Sequence, residues 1–256
     1  MARIGTARNH WDSRPDGVSL VRHRLAHRPL LVDARPRPVE LDRSRTACIV
    51  VDMQNDFCAA GGWLDSIGVD VTPARAPIGP LKQLLPMLRR EEMPVIWCNW
   101  GNRPDRANLP PGVLHVYDPS GDGIGIGDPL PGTGSAVLQQ GSWSAAVVDD
   151  LKIADGDIVV DKFRMSGFTD TALDSILRNL DVTTVLFAGV NVDQCVFATL
   201  ADAACLGYDV VLLDDCCATT SPAFCTEATR YNVARCFGFV ATGAAVLRAA
   251  AGAGGP

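Results

Sequence analysis

Apolar residues along this chain fall into short continuous runs instead of alternating with polar residues. Six of these runs are rich in β-branched side chains and lie at 46–52, 94–100, 157–162, 183–189, 209–215 and 237–242. Continuous runs of this kind are typical of strands that are buried on both faces of a sheet. The pattern therefore predicts six core strands.

Segments with helical periodicity separate most of these runs. They cover residues 78–90, 171–178, 195–206 and 222–235. A strand, helix, strand order implies crossover connections and a parallel sheet with helices on both sides. We therefore predict one α/β domain, a three-layer α/β/α sandwich around a six-stranded, mainly parallel sheet.

The two ends of the chain lack this periodicity. Residues 1–40 are rich in arginine and proline, and we expect an extended N-terminal arm that packs along the domain or along a partner subunit. The domain itself is predicted to span 41–250. Residues 251–256 are small and flexible, and this composition predicts a disordered tail.

The segment 102–141 is dense in glycine and proline and shows no period. Long loops inside compact domains usually have a function, so we expect this segment, called here the cover loop, to lie over a pocket. Its GDGIGIGD sequence follows no predicted strand and opens no predicted helix. That context excludes a dinucleotide-binding turn, and we expect no nucleotide cofactor.

The overall composition narrows the function further. The formal net charge is −6, whereas nucleic acids and anionic membranes require a basic surface. No apolar run approaches the roughly 20 residues of a membrane span. The nine cysteines are an odd number without zinc-ribbon or redox-motif spacing, which predicts free thiols in a reducing cytoplasm.

Ligands of parallel α/β sheets bind at the carboxyl ends of the strands, and three predicted strands end in reactive groups. Asp52 ends the first strand, Lys162 ends the third, and Cys195 begins the helix after the fourth. Each has a simple structural explanation as a turn aspartate, a solvated lysine or a small buried thiol. Their coincidence at one sheet edge favours a catalytic site.

The position of Cys195 suggests a nucleophile. A thiol in the first turn of a helix is placed where the helix dipole favours thiolate, and the Lys162 ammonium would favour it further. Asp52 could accept the thiol proton and later deliver it to a leaving group. The three residues together predict nucleophilic catalysis.

These residues resemble the cysteine hydrolases of the isochorismatase-like superfamily over residues 44 to about 242. The matching motifs are DMQNDF at 52–57, the lysine after strand three, and the turn GVNVDQCV at 189–196. The resemblance implies a catalytic triad of Asp52, Lys162 and Cys195. It also implies a cis peptide between Val190 and Asn191, and an oxyanion hole formed at Asn191 and Cys195.

The resemblance further implies cleavage of a C–N bond through a thioester, because relatives that cleave a vinyl ether lack the nucleophilic cysteine. Relatives that bind a metal use an aspartate and histidines after strand two. This chain has WCNWGNRPD there, and His115 is its one histidine beyond the arm, so we expect no metal. A homo-oligomer, either a dimer or a tetramer, is also implied.

Shorter similarities to ureidoacrylate amidohydrolases and biuret hydrolases suggest a small amide, ureido or carbamoyl substrate. Arg164 is the first candidate to bind a substrate carboxylate, and Arg106 the second. A streptothricin-like lactam and a non-catalytic or redox-sensing scaffold remain as alternatives. The residues expected to contact the substrate are Gln54, Asn99, Trp100, Asn102, Trp143, Arg164 and Phe168.

Overall fold

The computed structural model of the chain describes residues 2–22 and 25–252. Its strands are β1 (Ala2–Gly5), β2 (His10–Arg14), β3 (Gly17–Ser19), β4 (Pro29–Val32), β5 (Ala34–Arg35), β6 (Val39–Asp42), β7 (Thr46–Val51), β8 (Val95–Trp100), β9 (Ile158–Lys162), β10 (Thr184–Gly189), β11 (Asp209–Cys217) and β12 (Phe239–Ala241). Its α-helices are α1 (Asn55–Cys58), α2 (Trp63–Ser66), α3 (Ile78–Arg90), α4 (Pro111–Tyr117), α5 (Leu173–Asn179), α6 (Phe197–Cys205), α7 (Ala223–Asn232) and α8 (Gly243–Gly252).

The central sheet has seven strands in the order β5-β12-β11-β10-β7-β8-β9. The six predicted strands are all present, and every pairing among them is parallel. The seventh strand, β5, pairs antiparallel with β12 and comes from the segment predicted to be an arm. Because β5 is only two residues long, it leaves no periodicity in the sequence.

Helices cover the sheet on both sides, as the mixed α/β prediction requires. Helices α3 and α8 pack against each other and against β11, while α6 also packs on β11. The parallel strands at the centre of the sheet, β7, β8 and β10, are buried throughout. This double burial explains why their sequences are continuous apolar runs.

The described residues of segment 1–40 form several short hydrogen-bonded strands. Strands β1, β2 and β3 make a small antiparallel sheet, and β4 pairs with β6. Arg8 links this segment to the domain by donating to Leu180 O at 2.9 Å, to Glu92 O at 3.0 Å and to Ser44 O. The boundary at residue 41 stays a prediction.

Two other segments differ from the sequence expectation. The cover loop contains α4, which the prediction of an aperiodic loop missed. At the other end, α8 continues to Gly252, so the first two residues of the predicted tail are helical. Residues 253–256 of that tail lie outside the described residues.

The helices within the described part of the chain are all too short or too polar to cross a lipid bilayer.

Candidate active site

Strands β7 and β10 approach each other closely at their carboxyl ends, the edge of the sheet at which the three candidate catalytic residues lie. Gly189, the last residue of β10, has φ +111°, and a Cβ there would lie 2.0 Å from Val51 O on β7. Only glycine allows this approach. It places the turn that follows β10 beside Asp52, the residue that follows β7.

Asp52 and Lys162 form a buried ion pair at this edge. The Lys162 Nζ to Asp52 Oδ2 distance is 2.8 Å, and the two side chains are 0% and 2% exposed. The ammonium also lies 4.4 Å from the centroid of the Trp100 ring and donates to Arg164 O at 3.3 Å. These partners compensate for the removal of the lysine charge from water.

Cys195 completes the triad from a different element. It lies in a π-helical turn, Val192–Val196, that leads into α6, and it is 4% exposed. Its thiol lies close enough to Asp52 and Lys162 for both to shift its pKa, and Cys195 Sγ is 3.6 Å from Met165 Sδ. The structure therefore brings together the three residues that the sequence singled out.

Burial raises the pKa of Cys195 well above its usual value. Lys162 lowers the pKa of this thiol and Asp52 raises it, but burial is the largest cause. Burial thus acts against the thiolate that the sequence suggested, while the Lys162 ammonium acts in its favour. The helix-dipole argument from the sequence left this burial out of account.

The two charged members of the triad also have shifted pKa values. Burial raises the pKa of Asp52, while the ammonium of Lys162 opposes that change. Burial alone would lower the pKa of Lys162, but Asp52, by its charge and its hydrogen bond, acts together with Cys195 and Cys98 to raise that pKa. Asp52 is thus a stronger base than an exposed aspartate, and Lys162 stays protonated.

The turn between β10 and α6 presents backbone donors. The peptide bond between Val190 and Asn191 is cis. The Asn191 side chain is held at 3.3 Å by Thr220 N and by Gln194 Oε1, and Val192 N donates to Ala218 O at 2.8 Å. The Asn191 N–H donates to no other residue that the structure describes, so it is available to a ligand.

Of the residues predicted to contact the substrate, Trp100 lies beside the triad. Gln54, by contrast, has a structural role. Gln54 Nε2 donates to Trp100 O at 2.8 Å and to Ala145 O at 2.6 Å, and its Oε1 accepts from Trp100 N at 2.8 Å. Its amide hydrogens are therefore already engaged. The expectation that Gln54 contacts the substrate is corrected to a role in positioning Trp100.

Asn99 and Asn102 were expected to contact the substrate, but neither side chain faces the triad. Asn99 pairs in register with Asp161, and Trp100 with Lys162, so strand alternation turns Asn99 to the opposite face of the sheet. Asn102 is fully buried, and its backbone joins the two ends of the cover loop through Leu138 O and Gln140 N. Asn102 therefore fastens this loop.

Trp143 and Phe168 also lie away from the reacting atoms. Trp143 is 40% exposed, and its carbonyl accepts a hydrogen bond from Asn55 Nδ2 at 2.8 Å. Phe168 stacks on Tyr208 with ring centroids 5.9 Å apart. Because Tyr208 directly precedes β11, this contact lies toward the amino ends of the strands, opposite the catalytic edge.

The two arginines considered for a substrate carboxylate are engaged elsewhere. Arg164 Nη1 donates to Asn108 O and to Phe163 O, both at 2.8 Å. Arg106 Nη1 donates to Ile126 O at 3.1 Å and lies 3.5 Å from Asp128 Oδ1. Neither guanidinium is directed at Cys195 in this structure.

Sequence reasoning missed Tyr117, the last residue of α4. Its ring packs between Trp63 and Trp100, with centroid distances of 4.8 Å and 5.2 Å. Burial raises the pKa of Tyr117, and the negative charges of Cys195 and Asp52 raise it further. The paired prolines at 110 and 111 were a usable signal, because proline is favoured in the first turn of a helix.

Asp56 belongs to the DMQNDF motif at 52–57, and the sequence alone indicated no role for it. The residue is fully buried and accepts hydrogen bonds from Leu138 N at 2.7 Å and Trp63 N at 3.0 Å. Burial raises the pKa of Asp56 to about 6. This carboxyl therefore fastens the end of the cover loop to the segment that follows β7.

A metal site is not evident in the part of the chain that the structure describes, where no three His, Cys, Asp or Glu side chains cluster closely enough to hold an ion. The groups that do converge are a thiol, a carboxylate, an ammonium and a backbone N–H. Within a space that excludes water, this set is suited to acyl transfer by a nucleophilic thiol.

Comparison with known proteins agrees with this chemistry. The family model described as Isochorismatase domain matches residues 46–245. The ureidoacrylate amidohydrolase RutB of Agrobacterium fabrum is 36% identical over 214 residues, which are 83% of this chain and 93% of that protein. RutB of Rhizobium rhizogenes is 36% identical over 82% of this chain and 85% of its own length.

Solved structures show the same fold. A cysteine hydrolase from Pseudomonas syringae pv. phaseolicola matches with a TM-score of 0.71 and 27% identity, over 83% of this chain and 95% of that one. The N-carbamoylsarcosine amidase of Thermoplasma acidophilum matches with a TM-score of 0.58 and 24% identity, over 78% of this chain and 96% of its own, which supports the fold alone.

Proposed function

Because the chain belongs to the isochorismatase family, we propose that it is a cysteine-dependent amidohydrolase that acts through a thioester-type acyl-enzyme. That it is a hydrolase of non-peptide C–N bonds follows from the family and from the named activity of its relatives. The observation that carries the proposed mechanism is the buried Asp52–Lys162 pair beside the thiol of Cys195. The proposed substrates are small amides, ureides or carbamoyl compounds.

The first step joins the sulfur to the substrate carbonyl carbon. Asp52 accepts the proton of the Cys195 thiol as the sulfur attacks. The carbonyl oxygen becomes an oxyanion, which the N–H groups of Asn191 and Cys195 stabilise. Lys162 remains protonated throughout, holds the Asp52 carboxylate in place and favours the thiolate as it forms.

The second step breaks the C–N bond. The oxyanion collapses, and Asp52 gives its proton to the departing nitrogen, which leaves as ammonia or an amine. A thioester remains on Cys195, or a thiocarbamate if the substrate is a ureide. Water then attacks this carbonyl while Asp52 accepts a proton from it. The C–S bond breaks, the acyl group leaves, and Asp52 returns the proton to the sulfur, which restores the Cys195 thiol.

The burial of the triad gives the cover loop a part in this cycle. Asp52, Lys162 and Cys195 are all at most 4% exposed, so the substrate has to displace part of the covering segment to reach them. Exclusion of water protects the thioester from the wrong nucleophile and strengthens the electrostatic contacts. We therefore assign to the cover loop a part in the choice of substrate.

The proposal includes a reaction without a metal, in a reducing cytoplasm, by a homo-oligomer. Activity after exhaustive chelation tests the first of these points. Fractionation of cells that produce the protein tests the second. Sedimentation of the purified protein tests the third.

The acyl-enzyme is tested by rapid acid quench during turnover, followed by peptide mass analysis. We expect substrate-derived mass on the peptide that contains Cys195, and ammonia or amine release in step with turnover. Cys98 and Cys216, which are also buried thiols, serve as internal controls. An adduct on either of these, with none on Cys195, would contradict the proposal.

A further inference from the structure

Among the described residues, the charges beside the triad leave no cation free to hold an anionic substrate. The Lys162 ammonium is already balanced by Asp52, 2.8 Å away. A second buried carboxyl, Asp56, is close enough to act electrostatically on Tyr117, as Asp52 is. A substrate carboxylate would therefore enter a space whose nearby charges are neutral or negative in sum.

The arginines that border the site do not change this balance. Arg164 lies over the ring of Phe163 and lines an outer groove together with Asp170. Arg106 is paired with Asp128 on the cover loop. Arg103, at the start of that loop, is 61% exposed and is paired with Asp105. Arg103 and Arg106 are thus paired with carboxylates, and the Arg164 guanidinium is engaged by backbone carbonyls.

The surfaces nearest the nucleophile are apolar. Met165 Sδ touches Cys195 Sγ at 3.6 Å. On the side of Lys162, the rings of Trp63, Tyr117 and Trp100 form a continuous aromatic wall, and Tyr117 is brought there by α4 of the cover loop. A thioether and aromatic rings bind apolar groups, and although Trp100 Nε1 and the Tyr117 hydroxyl can donate hydrogen bonds, none of these side chains carries the charge that would balance a buried carboxylate.

We propose that the substrate is an uncharged amide or ureide with an apolar substituent, and that Tyr117 and Met165 are the residues that determine this preference. This inference rests on the proposed cysteine-dependent reaction. It also separates the chain from the relatives named above, because ureidoacrylate carries a carboxylate. This chain and those relatives would share the reaction of the triad but would accept substrates of different charge.

The test compares matched pairs of compounds that differ by one carboxylate, with ammonia release as the readout. Suitable pairs are benzylurea with 4-(ureidomethyl)benzoate, propylurea with 3-ureidopropionate, and the methyl ester of ureidoacrylate with ureidoacrylate itself. We expect kcat/KM to be at least about tenfold higher for the uncharged member, because burying an uncompensated carboxylate is costly. Equal rates, or faster cleavage of the acids, would overturn the inference and leave the proposed function intact.

Failure of the proposed function gives a different result. If no pair releases ammonia and no adduct forms on Cys195, the cysteine mechanism itself is wrong, and this inference falls with it. Cleavage of either member of a pair, together with an adduct on Cys195, keeps the mechanism and leaves the ratio of the two rates to decide the substrate class.

Two variants test the assigned residues directly. Tyr117→Lys and Met165→Lys each place a cation on one side of the nucleophile, and each should shift the acid-to-neutral ratio of kcat/KM toward the acid by about tenfold or more. Using both variants covers the case in which one does not fold. Tyr231→Lys, at a tyrosine that is 64% exposed on α7, is the matched control and should leave the ratio unchanged. Unchanged ratios in the folded Tyr117 and Met165 variants would remove both residues from this role.

Discussion

The strand ends and the cover loop meet at the same site but are built in opposite ways. Asp52 directly follows β7, which is buried throughout, and Lys162 is the last residue of the edge strand β9, where its own side chain is fully buried. The cover loop is mostly irregular and is fastened at a few points such as Asn102 and Asp56. This difference supports the proposal that the triad at the strand ends performs the chemistry and that the cover loop contributes to the choice of substrate.

The largest effect on the chemistry at the strand ends is expected from removal of the nucleophile. Cys195→Ser keeps nearly the same volume but supplies a hydroxyl that Asp52 cannot readily deprotonate. We expect turnover to fall by about 10³-fold or more while the melting temperature changes little. Cys205→Ser, at an exposed thiol, should retain wild-type turnover. Substantial activity in the Cys195 variant would move the chemistry to another residue.

Removal of the base is expected to have the next largest effect on turnover. Asp52→Asn should lower turnover by about 10²-fold, because the amide cannot accept the thiol proton. The same change removes a negative charge that raises the pKa of Cys195, so alkylation of this thiol should occur at lower pH. A thiol that reacts more readily with iodoacetamide in a slower enzyme would separate the two roles of Asp52.

The Asp52 variant leaves the Lys162 ammonium buried without its partner, at a cost in stability of about 3–5 kcal/mol. Thermal unfolding therefore has to be followed beside the kinetics. Normal turnover in folded Asp52→Asn protein would remove this residue from the mechanism.

Lys162→Met should move the same alkylation profile in the other direction. Lys162 lowers the pKa of Cys195, so its removal raises that pKa further, and each unit costs about tenfold in the thiolate fraction at a fixed pH below the pKa. The measurement is the rate of Cys195 alkylation against pH, with Lys82→Met as a control at an exposed lysine. A profile that coincides with the wild-type one would make Lys162 a purely structural residue.

The smallest effect is expected where the cover loop is fastened. The pKa of Asp56 is about 6 in the fold and is raised by burial from 3.8, so its contribution to stability is present below about pH 4 and is lost as pH rises through 6. Asp56→Asn cannot ionise, and its melting temperature should therefore fall less between pH 4 and 7 than that of the wild type. Asp149→Asn, at an exposed carboxylate, should follow the wild type. Identical pH dependence in all three proteins would contradict this role.

The sequence was sufficient for the parts of the molecule that repeat a simple pattern. Continuous apolar runs identified the six main strands, and the residues at their ends identified Asp52, Lys162 and Cys195. Helix α3 begins and ends where the periodicity predicts, at Ile78 and Arg90. In each case, burial on both faces or on one helix face leaves a regular signal in the sequence.

The residues around the triad could not be predicted in the same way. The position of Tyr117 depends on how an irregular loop folds back over the sheet, and no period records that. Whether Asn99 faces the site depends on strand alternation, which a run of residues buried on both faces does not reveal. The charge state of Cys195 depends on its distance from water, which only the three-dimensional arrangement determines.

The pairing of β5 with β12 has a consequence for the order in which the molecule forms. Arg35 and Ala34 lie opposite Val240 and Ala241, so one edge of the sheet joins segments separated by most of the sequence. During synthesis, β5 leaves the ribosome long before its partner strand exists. Contacts so distant along the chain slow folding and are established late, so this edge of the sheet is expected to close among the last contacts made.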